Sequence, residues 1–186
     1  SRHYEIRPEK LEDFQHLFEL VCPDLNITHT LIYMWDIDNS GIPITCISLG
    51  VKTNTYCKEL LFIVQALMSR GWMIPPHLEI VTNCTQTVGG IQNLSINQSP
   101  IWGMRRTLVN EHPELETRII DISSKPVEEE INSLIHVLLH GDNEDEIVLR
   151  GKRRFVNRLY AKQYFQTDTI PKESYGLYKT GIESFE

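Results

Sequence analysis

The sequence predicts an α/β layer protein, with a mostly parallel sheet flanked by helices and a β-hairpin toward the C-terminal end. Three observations predict it. A short continuous apolar run, Thr30 to Ile37, and a second buried strand, Leu78 to Thr82, alternate with longer segments whose apolar residues recur every three or four positions. The run does not alternate apolar with polar, so it suits a strand buried on both faces, as in a parallel sheet. Finally, Ser99 to Ile122 reads as a helix, a stop and another strand, one half of an α/β unit. Strand, helix, strand, helix, strand implies a Rossmann-like layer fold with right-handed crossovers.

Each element has its own reason. Ser1 to Pro8 is short and reads as a strand end. Glu9 to Val21 is a helix: Leu11, Phe14, Leu17, Phe18 and Val21 fall on one face, and Glu9, Glu12 and Asp13 suit its positive first turns. Cys22-Pro23-Asp24 breaks it. After the Thr30 to Ile37 run, Asp38-Asn39-Ser40-Gly41 marks a turn. Thr55 to Arg70 is a helix with Leu60, Leu61, Val64, Leu67 and Met68 inward, and Gly71 stops it. Asn83 to Gln98 is polar and glycine-containing, a loop after the second strand. Pro100 sits in the first turn of the next helix, where its missing N–H costs nothing. Ile101, Met104, Leu108 and Leu115 form its stripe, and Pro113 ends it by excluding His112 from the α region. Thr117 to Ile122 is the third strand. Pro126 to His140 is a helix with Val127, Ile131, Leu134, Ile135 and Leu138 inward. Glu146 to Leu159 is a hairpin turning at Gly151-Lys152.

Composition narrows the function classes. The chain has 186 residues, 41% of them hydrophobic, enough for one core. A net charge of −7 argues against nucleic acid or an anionic membrane as partner. No stretch approaches the ~18 apolar residues of a membrane span. Cys22, Cys46, Cys57 and Cys84 are scattered, which fits reduced core thiols in a cytoplasmic protein better than disulfides or a zinc site. Asn26, Asn83, Asn93 and Asn97 head glycosylation sequons that matter only in a secreted chain, and no signal-peptide pattern opens this one. The start, Ser-Arg-His-Tyr, reads as the middle of a longer polypeptide.

Little of the sequence carries chemistry. Dinucleotide binding needs glycines that bring a helix N-terminus and backbone to the pyrophosphate. No GxGxxG occurs, and Gly89-Gly90 is a pair without the pattern. His136 and His140 stand one helical turn apart, a metal-ligand spacing, but no third ligand follows, so they read as surface histidines. His112 reads as a helix-end residue. Lys152-Arg153-Arg154 reads as a solvated hairpin tip, with docking to an acidic neighbour as the alternative, and Asp142 to Glu146 as a solvated acidic loop. Beyond Ala161 the periodicity fades. Residues 161–186 read as a linker, and Tyr164, Phe165, Tyr175 and Tyr178 on it suit packing against another domain.

The stretch "SPIWGMRRTLVNEHPELETRIIDIS" resembles the "plWGlgR…EHPEl…lvDl" segment of polyketide synthase ketoreductase domains. The resemblance is carried by Trp102, Gly103 and Arg106, then Glu111, His112, Pro113 and Glu114, then Asp121. It is narrower still: the segment resembles the structural, non-catalytic subdomain of those domains. "TLIYMWDID", "ELLFIVQALMSR", "LEIVTNCTQTVGG" and "EIVLRGKRRFVNRL" resemble further segments in order, from Tyr4 to about Leu159. The family's first βαβ segment is not seen. Past Ala161, "YKTGIESF" is similar to the opening of an enoylreductase domain.

The resemblance implies a truncated, short-chain dehydrogenase-like Rossmann fold over 1–160, followed by a linker over 161–186. It implies the structural subdomain of such a ketoreductase, or a pseudo-ketoreductase of a polyketide or fatty-acid synthase, that binds no cofactor and does no chemistry itself; the residues offer no metal site. Its role would be to order the catalytic ketoreductase, which uses NADPH on a carrier-bound β-ketoacyl chain, and its partners would be that subdomain and an enoylreductase of the same polypeptide. In a catalytic copy a Ser, a Tyr and an Asn would fall near Thr85 or Thr87, near Trp102 and near Arg106. Trp has one N–H donor and no acidic proton, so it cannot replace the tyrosine. The alternatives are a reductase with an atypical NADPH site and a free-standing adaptor.

Overall fold

The computed structural model describes residues 2–35, 37, 46–88, 94–141 and 143–158, leaving aside the side chains of 46–49 and 52. The expected turn at Asp38 to Gly41, the Gly89-Gly90 pair, and Leu159 onward with its linker and aromatic residues lie outside the described residues. In chain order the elements are α1 (Leu11–Val21), β1 (Thr30–Tyr33), α2 (Cys46–Met68), β2 (His77–Asn83), α3 (Ser99–Glu111), a 3-10 turn (Pro113–Leu115), β3 (Arg118–Ile122), α4 (Glu128–His140), β4 (Glu146–Arg150) and β5 (Arg153–Val156).

The strands form one sheet in the order β1-β2-β3-β4-β5. The first four are parallel: Leu31 lies beside Leu78, Ile80 beside Ile119, and Ile120 beside Ile147. β5 returns antiparallel to β4, with Val148 opposite Phe155. The mostly parallel α/β fold is therefore the one expected.

Strand side chains alternate between faces, and each face has its own core. On one, Tyr33, Leu78, Ile80, Ile119 and Val148 pack under α1, α2 and α3. On the other, Val81, Ile120, Ile122, Ile147 and Leu149 pack under Leu134 and Val137 of α4. α1 contributes Phe14 and Phe18, both 2% exposed. Each buried ring is worth roughly 1.5–3 kcal/mol of transfer free energy. α2 ends at Met68, two residues before the expected Arg70, and the chain turns away at Gly71, whose φ of +64° favours a residue without Cβ. α3 begins with Pro100 in its first turn and ends at His112, whose backbone N–H donates to the Leu108 carbonyl.

Several expectations fail. Residues 2–7 form no strand. The Thr30 to Ile37 run is not a strand buried on both faces. It pairs only over Thr30–Tyr33, lies at the sheet edge, and leaves Ile32 43% exposed, because no described helix covers that side of β1. α2 begins at Cys46, earlier than Thr55. The 3-10 turn was not foreseen, although it carries the fully buried Leu115. α4 is rotated from the face expected: Leu134 and Val137 point inward with Glu130, while Val127, Ile131 and Ile135 are 51%, 42% and 48% exposed. The acidic loop ends before Glu146, which is buried.

Candidate functional site

In open α/β sheets, ligands and catalytic groups gather at the carboxyl ends of the strands. Here that end is filled by a knot of polar side chains. Asp121, at the end of β3, is 0% exposed. Its Oδ1 accepts from the Thr82 hydroxyl at 2.8 Å, the Thr85 N–H at 2.8 Å and the Thr85 hydroxyl at 2.6 Å. Its Oδ2 accepts from the Gln86 N–H at 3.2 Å and the Arg150 guanidinium at 2.5 Å. Arg150 donates further to the carbonyls of Gln86, Asp121 and Leu149.

Trp102 closes the knot from α3. It is 4% exposed, and its indole N–H donates to Thr82 Oγ1 at 3.3 Å. Each threonine hydroxyl has one proton, and both are committed to Asp121. Such a carboxylate, wrapped in donors and faced by a guanidinium, is an electrostatic anchor. None of these side chains holds a proton ready for delivery to a carbonyl. Asn83 and Gln98 continue the polar seam: the Gln98 Oε1 accepts from the Asn83 N–H at 2.8 Å, and its amide donates to the Trp35 carbonyl at 2.9 Å.

A second network ties the middle of α3 to the hairpin. Arg105, 4% exposed, donates to the Thr117 carbonyl at 3.0 and 2.9 Å, to Asp145 at 2.5 Å and to Glu146 at 3.4 Å. Arg106 grips Glu146 in bidentate fashion at 2.8 and 2.9 Å, and the Asn157 amide donates to the same carboxylate at 2.7 Å. Burial pushes the Glu146 carboxyl up, but the hydrogen bonds from Arg106 and Asn157 and the two arginine charges outweigh it, holding it below its ordinary value. The bond to Glu146 in turn raises Arg106. On the opposite sheet face, Arg118 donates to Glu79 at 2.8 Å and to the Val137 carbonyl of α4 at 3.1 Å.

The motif residues thus separate. Trp102 and Asp121 meet in one network through Thr82, and Arg106 serves the other. Gly103 is exposed, and a Cβ there would meet nothing. Glu111 and Pro113 are exposed, and His112 turns its ring to Glu114 at 3.2 Å. Thr85 lies in the Asp121 knot, whereas Thr87 is exposed. His136 and His140 are exposed and stacked, 4.6 Å between ring centres, and no group of three or more metal-ligating side chains occurs among the described residues. Lys152, Arg153 and Arg154 are exposed. Sequence reasoning missed Thr82, Arg105, Glu146 and Arg150. The available signal was the strand Glu146-Ile-Val-Leu-Arg150, where alternation puts Glu146, Val148 and Arg150 on one face. A cleft of about 420 Å³ lies at the amino ends of β2, β3 and β4, lined by His77, Arg105, Glu116, Thr117, Arg118 and Asn143 among others. That is the end of the sheet opposite the Asp121 knot.

Residues 1–141 match the family model described as beta-ketoacyl synthase-like, N-terminal. The chain is similar to a component of the phenolphthiocerol/phthiocerol polyketide synthase of Mycobacterium tuberculosis, 32% identical over 97 residues, which is 52% of this chain and 4% of that protein. It is also similar to the pikromycin polyketide synthase component PikAII of Streptomyces venezuelae, 33% identical over 100 residues, 53% of this chain and 3% of that one. The chain thus spans only a few per cent of the length of the curated relatives it matches. Among solved structures, a C2-type ketoreductase from a modular polyketide synthase shares the fold, with a TM-score of 0.60 at 21% identity over 82% of this chain and 32% of that one. No described helix is long and apolar enough to cross a membrane.

Proposed function

This chain belongs to the beta-ketoacyl synthase-like, N-terminal family, and from that premise we propose that it is the structural, non-catalytic half of a ketoreductase region in a polyketide synthase. The observation that carries the reading is the Asp121 knot. Where a reductase would hold an ionisable tyrosine, Trp102 donates its only N–H inward to Thr82. The backbone N–H groups of Thr85 and Gln86, which open the loop after β2 and would be the natural donors to a phosphate, are spent on Asp121. With those N–H groups turned to Asp121, these residues do not fit a nicotinamide dinucleotide.

The role left to the chain is mechanical. Asp121 with Arg150, and Glu146 with Arg105 and Arg106, lock α3, β3 and the β4–β5 hairpin into one rigid body. Rigid support of this kind would position a catalytic ketoreductase subdomain, which would use NADPH on carrier-bound β-ketoacyl chains, and a neighbouring enoylreductase in the same polypeptide. The polyketide synthases it resembles are far longer than this chain, which supports a place among further domains.

Calorimetric titration with NADPH tests the proposal. No saturable heat is expected up to about a millimolar, the range of a weak ~4 kcal/mol interaction. Saturation in the micromolar range would overturn the structural reading and establish a dinucleotide site.

A further inference from the structure

The cleft of about 420 Å³ at the amino ends of the strands holds two buried polar atoms that have no hydrogen-bond partner among the described residues. Thr117, just before β3, is 2% exposed, and its hydroxyl is one of them. Arg118 directs Nε to Glu79 and Nη2 to the Val137 carbonyl, and its Nη1 is the other. Both residues line the cleft. Gly141 lines it too, and a Cβ there would stand 3.1 Å from Arg118 Nη1, so the glycine keeps the space beside that nitrogen open. Native folds leave few buried polar groups unpaired. A guanidinium nitrogen can only donate, and a hydroxyl can donate as well as accept. Both atoms therefore call for an acceptor oxygen.

The charge of the lining selects which oxygen. Four carboxylates, Glu79, Glu116, Glu144 and Asp145, stand around the cleft against the two guanidinium groups of Arg105 and Arg118. A phosphate or a carboxylate would enter against that excess, whereas a neutral carbonyl would not. The excess is least compensated at Glu116. Its side chain is 68% exposed and meets the His77 ring at 3.2 Å, while Glu79, Glu144 and Asp145 have arginine partners in Arg118, Arg158 and Arg105. Val109 and Pro113 give the cleft an apolar side, suited to the methylene stem of a long cationic side chain. We propose that the cleft takes an arginine residue of a peptide segment from a partner protein. The carbonyls flanking that residue accept from Arg118 Nη1 and the Thr117 hydroxyl, its stem lies on Val109 and Pro113, and its guanidinium forks onto Glu116. The site is at the opposite end of the sheet from the Asp121 knot and does not depend on the structural reading of that knot.

Titration of the whole isotope-labelled chain with Nα-acetyl-L-arginine amide, followed by backbone amide chemical shifts, tests it. Saturable shifts at Thr117, Arg118, Gly141 and Asn143 are expected with a Kd of about 1 mM, the range for so small a probe. Agmatine, which has the cation and no carbonyl, should bind at least ~tenfold more weakly. Nα-acetyl-L-glutamate amide, which has the carbonyls and the opposite charge, should not saturate. Thr117→Val should weaken the arginine probe about fivefold and leave the thermal midpoint unchanged or higher, because the hydroxyl it removes is unpaired in the free chain. Glu116→Lys, at an exposed position, should abolish binding. No saturable shift up to ~50 mM arginine probe would overturn the proposal. Equal binding of agmatine would overturn it by reducing the cleft to an acidic patch, and equal binding of the glutamate probe would overturn it in favour of an anion site. A Thr117→Val chain that binds the arginine probe unchanged would refute the part given to the orphaned hydroxyl.

Discussion

Replacing Asp121 by asparagine should remove a large part of this domain's stability although it changes no volume. Asparagine keeps one oxygen, which can still accept from Thr82 and from the N–H and hydroxyl of Thr85. Its NH2 group must then stand where Oδ2 stood, 2.5 Å from an Arg150 nitrogen and 3.2 Å from the Gln86 nitrogen, donor against donor. Arg150 is 7% exposed and would keep its charge after losing the Asp121 carboxylate. Breaking one partner out of a buried pair costs about 3–5 kcal/mol. A domain of this size has about 5–15 kcal/mol in all, so a loss of about 3–5 kcal/mol takes roughly a fifth or more of its stability. Urea unfolding followed by tryptophan fluorescence reads the loss as a lower midpoint at unchanged slope. The companion is Arg150→Met, alone and with Asp121→Asn. If the knot works as described, the double variant is more stable than the sum of the single losses predicts, with a coupling of more than ~1 kcal/mol. A single loss under ~1 kcal/mol, or no coupling, would refute the view that this pair holds the carboxyl ends of the strands together.

Two further outcomes follow from the same networks. Glu146 titrates below its ordinary value in the folded chain, so its contribution is present above the unfolded carboxylate value of ~4.3 and is lost as pH falls through the lower folded value; Glu146→Gln should flatten the acid limb of a stability-versus-pH curve below about pH 5 and leave the Arg106 guanidinium without this charged partner. Trp102→Phe keeps a ring in a nearly closed pocket but deletes the N–H that Thr82 accepts and part of the packed volume; a loss of roughly 1–3 kcal/mol by thermal unfolding is expected, with no reductase activity gained or lost.

The sequence alone determined the elements whose causes are local. Pro100 and Pro113 bracket α3, Gly71 turns the chain away after α2, and the three- and four-residue spacing of Phe14 and Phe18, or Leu60, Val64 and Leu67, marks faces that are indeed buried. Leu78, Ile80 and Val81 are apolar because β2 is covered on both sides and paired on both edges, and Glu79 among them is buried with Arg118 as its ion partner. Trp102 and Asp121 stood out as motif residues, though nothing in their spacing reveals that they share Thr82. Only the tertiary structure decided the remainder, because the partners are far apart in the chain. Thr30 to Ile37 has the same composition as a central strand, and only the sheet order places β1 at an edge with Ile32 in the open. In α4, apolar residues occupy more than one side of the helix, so periodicity could not say which row faces the sheet; the Ser123 and Gly151 N–H groups, by donating to Glu130, did. Glu146 reads as the end of an acidic loop until Arg105 and Arg106, some 40 residues earlier, neutralise it inside the fold. A local pattern records what a residue prefers; which neighbour satisfies that preference is fixed only when distant segments pack.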